Sequence, residues 1–253
     1  MMHMFKNMTI GNFVSWYIEL GKLMIFWAKR VKDIWLVDEI DGVFTIGVDW
    51  LIRRRIRKAV IAIAEEADKV EKALTIIHEY EDLTRILIIP EDYPLGLDTV
   101  DARGILYLWD VNSKILKPNI DVRIEILKSW NNRYIKVFEG IHRKSWGFFI
   151  PPRPDDHVVL LGYLNDEPVA LAYLNVNNFN IDYGIHVVRQ YWRKRIGTRL
   201  LSEALRIARG KGSKYLSVVR VFRSLKGTAG DRRAVGFYRA NNPSVKMAVY
   251  RLE

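Results

Sequence analysis

The chain has 253 residues, 49% of them hydrophobic, which is enough to bury one large core or two small ones. It contains no cysteine, and this excludes a disulfide framework, a cysteine nucleophile and a thiolate metal site. The formal net charge of +11 is uneven: residues 1–112 carry 14 basic and 18 acidic side chains, a net of −4, and residues 113–253 carry the remaining 26 and 11, a net of +15.

The apolar stretch at residues 10–28 does not predict a membrane span, because it contains Asn12, Glu19 and Lys22. No basic region, apolar core and small-residue cleavage site follow one another as they do in a signal peptide. The five histidines show no metal-ligand spacing. We therefore expect a cytoplasmic protein with no metal site and no membrane partner.

In the first half, residues 53–58 form a basic run between two apolar segments. Such a run is most often a solvated helix start, and its charge also attracts anions. The sequence leaves both interpretations open here.

From about residue 120 onward, the pattern predicts a complete α/β unit. Residues 121–127 alternate as a strand, and Ser129 is suited to cap a helix that extends to about Gly140. Strands at 158–163 and 169–176 flank the sequence Asn-Asp-Glu-Pro at 165–168, which is typical of a hairpin. The remaining predicted elements are a strand, a helix, a strand, a helix and a closing strand at residues 181–187, 200–208, 216–221, 232–238 and 245–250.

The most informative segment is the basic turn between the strand at 181–187 and the helix that comes after it. Arg193, Lys194 and Arg195 precede Ile196 and Gly197, and a helical stripe of apolar residues follows from Leu200 onward. Backbone N–H groups and the helix dipole make such a turn a site for a phosphate or pyrophosphate. The missing side chain of Gly197 lets an anion approach the backbone closely.

This segment resembles the GNAT superfamily of N-acetyltransferases, which binds the pyrophosphate of acetyl-CoA on a turn reading Gln/Arg-x-x-Gly-x-Gly/Ala. The turn here reads Trp192-x-x-Arg195-x-Gly197, so only the final small residue fits the strict pattern. The resemblance implies acetyl-CoA as cosubstrate, with the pantetheine arm along the preceding strand and the pyrophosphate on the turn. The implied cofactor-binding residues are Ile185, Val187, Val188, Arg193, Lys194, Arg195, Ile196, Gly197 and Thr198.

A second resemblance lies downstream, where the family commonly has Asn-x-x-Ala-x-x-Phe-Tyr. This chain has Asp231, Ala234, Phe237 and Tyr238 at those positions. By resemblance, the phenol of Tyr238 protonates the CoA thiolate as the acetyl group leaves. The family's usual Gly-Phe after that tyrosine is missing, and a core ring with its hydroxyl at the rim is the alternative.

The general base is left open by the sequence. The family often takes a glutamate from the strand before the turn or from a neighbouring strand, and this chain offers Asp182 and His186 instead. Histidine has a suitable pKa near neutrality, whereas Asp182 needs a raised pKa or a water relay. Either residue is also explained as an ordinary strand residue that faces solvent.

An internal repeat suggests a tandem arrangement, similar to that of mycothiol synthase. A shift of 140 positions aligns residues 48–61 with residues 188–201 without a gap. The same shift aligns residues 73–77 with a segment near the predicted strand at 216–221, and residues 104–109 with a segment near the closing strand at 245–250. Arg57 then replaces Gly197, and its side chain would crowd a pyrophosphate. We thus predict two GNAT-like mixed-sheet α/β domains: a truncated, degenerate one at 1–112 and a catalytic one at 118–253. The alternative is two unrelated α/β halves.

The resulting hypothesis is an acetyl-CoA-dependent N-acetyltransferase that acts on a primary amine of a small molecule or protein. The alternative is a non-catalytic CoA-binding or nucleic-acid-binding module that keeps the fold. The basic second half suits the polyanionic CoA, and the excess charge is compatible with nucleic acid or an acidic partner.

Overall fold

Eleven strands and four α-helices are formed by the residues that the computed structural model describes, namely 30–52, 55–96, 98, 100–112 and 116–252. This confirms the predicted α/β class. The contacts divide the chain into two compact units. The first contains the described residues up to Leu108, together with Arg220–Arg239 and the described residues from Pro243 onward. The second contains Trp109–Val219 and Ala240–Asn242.

The first unit is built on a mixed sheet whose strands follow the order β1-β2-β3-β4-β11-β5. Its first three strands are antiparallel, β3 and β4 are parallel, and β11 is antiparallel to both of its neighbours. The helix α1 covers one face with three buried apolar residues. The bounds are β1 Arg30–Ile40, β2 Val43–Ile52, β3 Arg55–Ala64, α1 Val70–His78, β4 Thr84–Pro90, β5 Val100–Asp110 and β11 Val245–Leu252.

The described part of the basic run, residues 55–58, lies in β3 and does not begin a helix. Residues 59–64 are buried, and a continuous apolar run of this kind is typical of an interior strand covered on both faces. Arg57 pairs with Trp50 of β2, and residues 73–77, expected near a strand, lie in α1. The shift of 140 positions is therefore wrong in its placement of these residues, and Arg57 is not at a helix start.

The second unit contains a four-stranded antiparallel sheet in the order β6-β7-β8-β9. Asn165 and Asp166, both with left-handed backbone, form the predicted hairpin turn between β7 and β8. Asn131 caps the first helix of this unit through its side-chain oxygen, two residues beyond the predicted cap Ser129. The bounds are β6 Arg123–Leu127, α2 Asn132–Trp146, β7 His157–Leu164, β8 Glu167–Asn175, β9 Ile181–Val187, α3 Ile196–Gly210 and β10 Tyr215–Val221.

The bounds of the compact units differ from those of the predicted domains, which were 1–112 and 118–253. The last helix, α4 (Ala229–Ala240), and the closing strand β11 are grouped almost entirely with residues of the first half. The apolar stretch at 10–28 lies outside the described residues. Among the described helices, none is long and apolar enough to cross a membrane.

Candidate functional site

A bulge interrupts β9 shortly before the basic turn. Ile185 pairs with Ala172 of β8, whereas Asp182 pairs with the next residue, Tyr173, so that Tyr183 and Gly184 are extra on β9. Both have left-handed backbone, with φ of 63° and 86°. Glycine adopts this conformation freely, but an aromatic residue adopts it only under strain. Bulges of this kind redirect the backbone and side chains of a strand.

The strand after α3 touches β9 at one point. Asn180, directly before β9, forms a single parallel bridge with Ser217 of β10. Beyond that bridge, no described residue of β9 pairs with β10. The backbone of β9 is therefore paired with β8 on one side and diverges from β10 on the other.

Successive residues of β9 direct their backbone N–H and C=O groups alternately to these two sides. The Val188 N–H donates to the Val169 carbonyl at 2.9 Å, so Val188 and His186 direct their backbone groups toward β8. Ile185 and Val187 direct theirs to the side where β10 diverges. Their placement agrees with the predicted pantetheine path, whereas the Val188 N–H is used within the sheet; the role of these residues in cofactor binding stays a prediction.

The turn after β9 leads into backbone donors that have no acceptor within the helix that follows. Arg193 and Arg195 have left-handed backbone, with φ of 62° and 54°, and Arg195 caps α3 without a side-chain hydrogen bond. The N–H groups of the first helical turn, at Ile196, Gly197 and Thr198, have no acceptor within the helix. Successive N–H groups in such a left-handed to right-handed step form a concavity that suits an anion.

Side chains from outside the turn hold it in place. The Asn119 amide donates to the Lys194 carbonyl at 3.0 Å, and the Trp192 indole donates to the Val187 carbonyl at 2.8 Å. The Tyr191 hydroxyl donates to the Glu167 carboxylate, and this bond raises the pKa of the phenol. Asn119 was not predicted from the sequence, because its distance along the chain gives no local signal. The turn is thus preorganised, while its basic side chains at 193–195 remain exposed.

His186 lies one residue from Val187 on β9 and is almost completely buried. Its Nε2 is 3.1 Å from the Tyr183 carbonyl, which can only accept, so the ring proton lies on Nε2. Nδ1 then faces the Ser145 hydroxyl at 3.1 Å as an acceptor, and the His142 carbonyl at 3.2 Å is a second acceptor for the same hydroxyl proton. The basic nitrogen of His186 is therefore directed at a hydroxyl group on α2.

Aromatic rings surround His186, a feature that was not predicted from the sequence. The ring centroids of His142 and Trp146 lie 4.1 Å and 4.9 Å away, and Phe148 packs against Trp146 at 3.9 Å. Burial lowers the pKa of His142 to about 4, so this ring is neutral near pH 7. The helical spacing of His142, Ser145 and Trp146 on α2 is the signal that could have grouped them.

Asp182 is also buried, but its carboxylate is fully engaged. It accepts hydrogen bonds from His157, Asn175, Asn180 and Arg153. A proton on this carboxylate would displace one of those donors, so the geometry disfavours Asp182 as a general base. Among the described residues, no group of three or more histidine, aspartate or glutamate side chains could hold a metal ion.

Tyr238 lies on α4, in the first compact unit. Its ring is buried, with centroids 5.1 Å from Tyr107 and 5.0 Å from Phe237. The start of α4 is a reciprocal cap, in which the Asp231 carboxylate accepts from the Thr228 N–H and the Thr228 hydroxyl accepts from the Asp231 N–H. Burial alone would raise the pKa of Asp231, but the bonds from Thr228 and Arg220 outweigh it and lower that pKa.

Comparison with known families identifies the segment that contains most of this site. Residues 125–241 match the model of the acetyltransferase (GNAT) family. The segment from β6 to the end of α4 is therefore a GNAT domain, and the resemblance seen in the sequence is confirmed. The degenerate N-terminal copy stays a prediction. No curated protein matches the chain significantly.

Several solved structures are similar over most of the chain at low identity. A GCN5-related N-acetyltransferase from Kribbella flavida is 14% identical, with a TM-score of 0.43, over 85% of this chain and 89% of that one. Another from Sphaerobacter thermophilus is 14% identical, with a TM-score of 0.42, over 83% and 76%. A tandem GNAT protein from the clavulanic acid biosynthesis pathway is 9% identical, with a TM-score of 0.39, over 85% and 84%. Scores of this size support no inference about function.

Proposed function

We propose that the protein is an acetyl-CoA-dependent N-acetyltransferase that transfers the acetyl group to a primary amine. One observation carries this proposal: the bulged strand β9 leads into a preorganised basic turn whose helical N–H groups have no acceptor within α3. In a domain of this family, that combination suits a thioester cosubstrate with a pyrophosphate group.

The cosubstrate would lie along β9 and across the turn. The pyrophosphate oxygens would accept from the N–H groups of Ile196, Gly197 and Thr198, with the exposed cations at 193–195 adding attraction. The pantetheine arm would follow the edge of β9 at Ile185 and Val187, with the Val187 N–H as a donor, because the Val187 carbonyl already accepts from the Trp192 indole. Because Asn119 and Trp192 already hold the turn, little ordering is required when the cosubstrate binds.

The reaction needs one proton acceptor and one proton donor. The amine nitrogen attacks the thioester carbonyl, a C–N bond forms and the C–S bond breaks. We assign the amine proton to Nδ1 of His186, relayed through the Ser145 hydroxyl. The leaving thiolate takes a proton from Tyr238, an assignment that rests on the family motif in the sequence and not on the position of α4.

The proposal extends to the acceptor and the surroundings of the enzyme. The acceptor is a primary amine on a small molecule or a protein, and a cytoplasmic location is part of the proposal. The net charge of +15 on residues 113–253 supports an acidic protein or nucleic acid as a further partner. The tandem arrangement also belongs to the proposal.

A thiol-release assay with acetyl-CoA and a panel of amines tests the proposed function. The panel contains peptide N-termini, lysine peptides, polyamines and small primary amines, and titration with acetyl-CoA and with single-stranded RNA accompanies it. Binding of acetyl-CoA together with amine-dependent release of free thiol supports the enzyme. Binding of RNA without binding of acetyl-CoA would instead support a nucleic-acid-binding module.

A further inference from the structure

We propose that Asp182 is a positioning residue: its buried carboxylate holds β9 at the single point where that strand meets β10, and thereby maintains the bulge that aims Val187 at the cosubstrate. The inference rests on the proposed function for its ligand, but the structural part can be tested without any ligand. It replaces the view of Asp182 as a general base.

The carboxylate accepts from donors on two strands and two loops. Oδ2 lies 2.8 Å from His157 Nε2 on β7 and 3.1 Å from the Asn175 amide on β8. An Arg153 guanidinium nitrogen approaches the same oxygen at 3.4 Å. The Asn180 amide donates to Oδ1 at 2.6 Å. Asp182, His157, Asn175 and Asn180 are each at most 4% exposed, so water does not compete for these bonds.

The ring of His157 is oriented for this contact. Its Nδ1 accepts the Arg153 N–H at 2.9 Å, which leaves the ring proton on Nε2, pointed at Asp182. Four donors converge on the buried carboxylate, so its two oxygens act as fixed hydrogen-bond acceptors in the network.

The network continues to the neighbouring strand. The Ser217 hydroxyl on β10 donates to the Asn180 side-chain oxygen at 3.0 Å, and the Ser217 N–H donates to the Phe179 carbonyl at 3.0 Å. The only β9–β10 bridge among the described residues joins the same two positions, 180 and 217. Asp182 thus acts on β10 through Asn180, at the point from which the two strands diverge.

The bulge begins directly after Asp182. Tyr183 keeps an unfavourable φ of 63°, and such strain persists only where the surroundings determine it strongly. Asp182 holds one side of the bulge, and the bond from His186 Nε2 to the Tyr183 carbonyl holds the other. If the first anchor is lost, the strain can relax by moving the register of β9, which displaces the backbone groups at 185–187.

Two variants separate this role from a catalytic one. Asp182→Asn keeps the size and shape of the side chain but replaces one acceptor oxygen by an NH₂ group. That group is a donor and would face the donors that now bind the carboxylate. Ser217→Ala removes only the far end of the network and is the milder change. Asn177→Ala is the matched control, because the Asn177 side chain lies in the same β8–β9 turn but bonds to Asp156 and not to Asp182. Thermal unfolding establishes that each variant is folded.

Hydrogen exchange of the His186 and Val188 amides, which face β8 within the sheet, is the first measurement and is made without ligand. We expect exchange about tenfold or more faster in Asp182→Asn and a smaller acceleration in Ser217→Ala, with none in Asn177→Ala. The double variant should exchange no faster than Asp182→Asn alone, because both changes break one network. If Asp182→Asn does not fold, Ser217→Ala against Asn177→Ala decides the same question.

Acetyl-CoA affinity and turnover are the second measurement. The dissociation constant should rise about tenfold in Asp182→Asn and less in Ser217→Ala, with a parallel rise in KM. The proposal is overturned if Asp182→Asn leaves both the exchange rates and the dissociation constant unchanged while turnover collapses, as a general base requires. A wild-type protein that binds no acetyl-CoA would reject the proposed function, and the exchange result would still decide the role of Asp182.

Discussion

The segments β1–β4 and β7–β10 have the same order of elements. Each has three antiparallel strands, a short 3₁₀ turn, a helix, and a fourth strand that is parallel to the third. The 3₁₀ turns are Ala67–Lys69 and Arg189–Tyr191, and the helices are α1 and α3. Only the second segment has the features of an anion-binding site.

Strand pairing is the first difference between the two segments. β3 and β4 pair along five consecutive positions, from Ala59–Thr84 to Ile63–Ile88, so their backbone groups are used within the sheet. β9 and β10 share one bridge and then diverge. The bulge at Tyr183 and Gly184 accompanies this divergence, and no register shift is found in the pairing of β2 with β3.

Charge is the second difference. The connection from β3 to α1 carries three acidic residues and one basic residue, and the connection from β9 to α3 carries four basic residues and no acidic one. These residues are Glu65, Glu66, Asp68 and Lys69 in the first connection and Arg189, Arg193, Lys194 and Arg195 in the second. The two segments therefore share an order of elements but differ in strand pairing and in the sign of the local charge, and both differences favour an anion at the second connection.

The largest expected effect comes from placing a negative charge, as found in the connection from β3 to α1, at the start of α3. Gly197→Glu places both bulk and a negative charge where the pyrophosphate would lie. Since like charges in contact cost several kcal/mol, acetyl-CoA affinity should fall about a thousandfold or more. Isothermal titration measures it, with Gly197→Ala as the control that adds bulk but no charge. Unchanged affinity in Gly197→Glu would show that the turn does not bind the cosubstrate.

The second prediction concerns the element after the fourth strand of each segment. After β10 the chain enters α4 with Tyr238, whereas the described residues between β4 and β5 form no helix. If Tyr238 is the general acid, Tyr238→Phe should lower kcat by about 10²–10⁴ and retain acetyl-CoA affinity. The ring contacts with Tyr107 and Phe237 remain available to the variant. Near-full activity would make Tyr238 a core ring only.

The third prediction concerns His142 of α2, a buried histidine that packs against His186 of the second segment. Burial lowers the pKa of His142 from 6.5 to about 4, so the unfolded chain binds more protons between those pH values. The free energy of unfolding should therefore decrease as the pH falls from 6.5 toward 4, by about 3 kcal/mol from this residue. His142→Gln should remove that part of the pH dependence in urea titrations, and His78→Gln, at an exposed position of α1, should not. Equal slopes in all three proteins would contradict the assignment.

The last prediction is that a change of charge in the first connection creates no acetyl-CoA site. Glu65→Lys combined with Glu66→Lys gives the first connection a basic charge but leaves the β3–β4 ladder closed. We expect no additional acetyl-CoA site, and titration should give the same stoichiometry as the wild type. A second acetyl-CoA molecule bound per chain would mean that charge alone, and not strand pairing, decides which segment binds acetyl-CoA.

Much of the second unit could be predicted because its signals are local. Alternating apolar residues marked β9, the Asn-Asp pair marked the β7–β8 hairpin, and the apolar stripe from Leu200 onward predicted α3, which begins four residues earlier, at Ile196. The helix cap was misplaced by two residues, since Ser129 and Asn131 are both suitable caps and the choice depends on packing. Gly184 within a strand was a signal for the bulge that the alternation obscured.

The remaining features depend on contacts between distant residues. The position of β11 between β4 and β5 pairs Ala248 with Ile89 and Ile105, which no local pattern encodes. Arg57 was expected at a helix start, because a basic run before apolar residues is common to helices and to strands whose ends reach solvent. The network around Asp182 joins four segments through polar side chains, each of which looks like an ordinary turn or strand residue in isolation.

The central claim is that acetyl-CoA binds at the connection from β9 to α3 and not at the connection from β3 to α1. Hydrogen exchange with and without acetyl-CoA tests this claim most directly, because both connections are measured within one sample. We predict protection of the amides at 193–198 on addition of acetyl-CoA and no change at 65–69. Protection at 65–69, or equal exchange at 193–198 with and without saturating ligand, would contradict the claim.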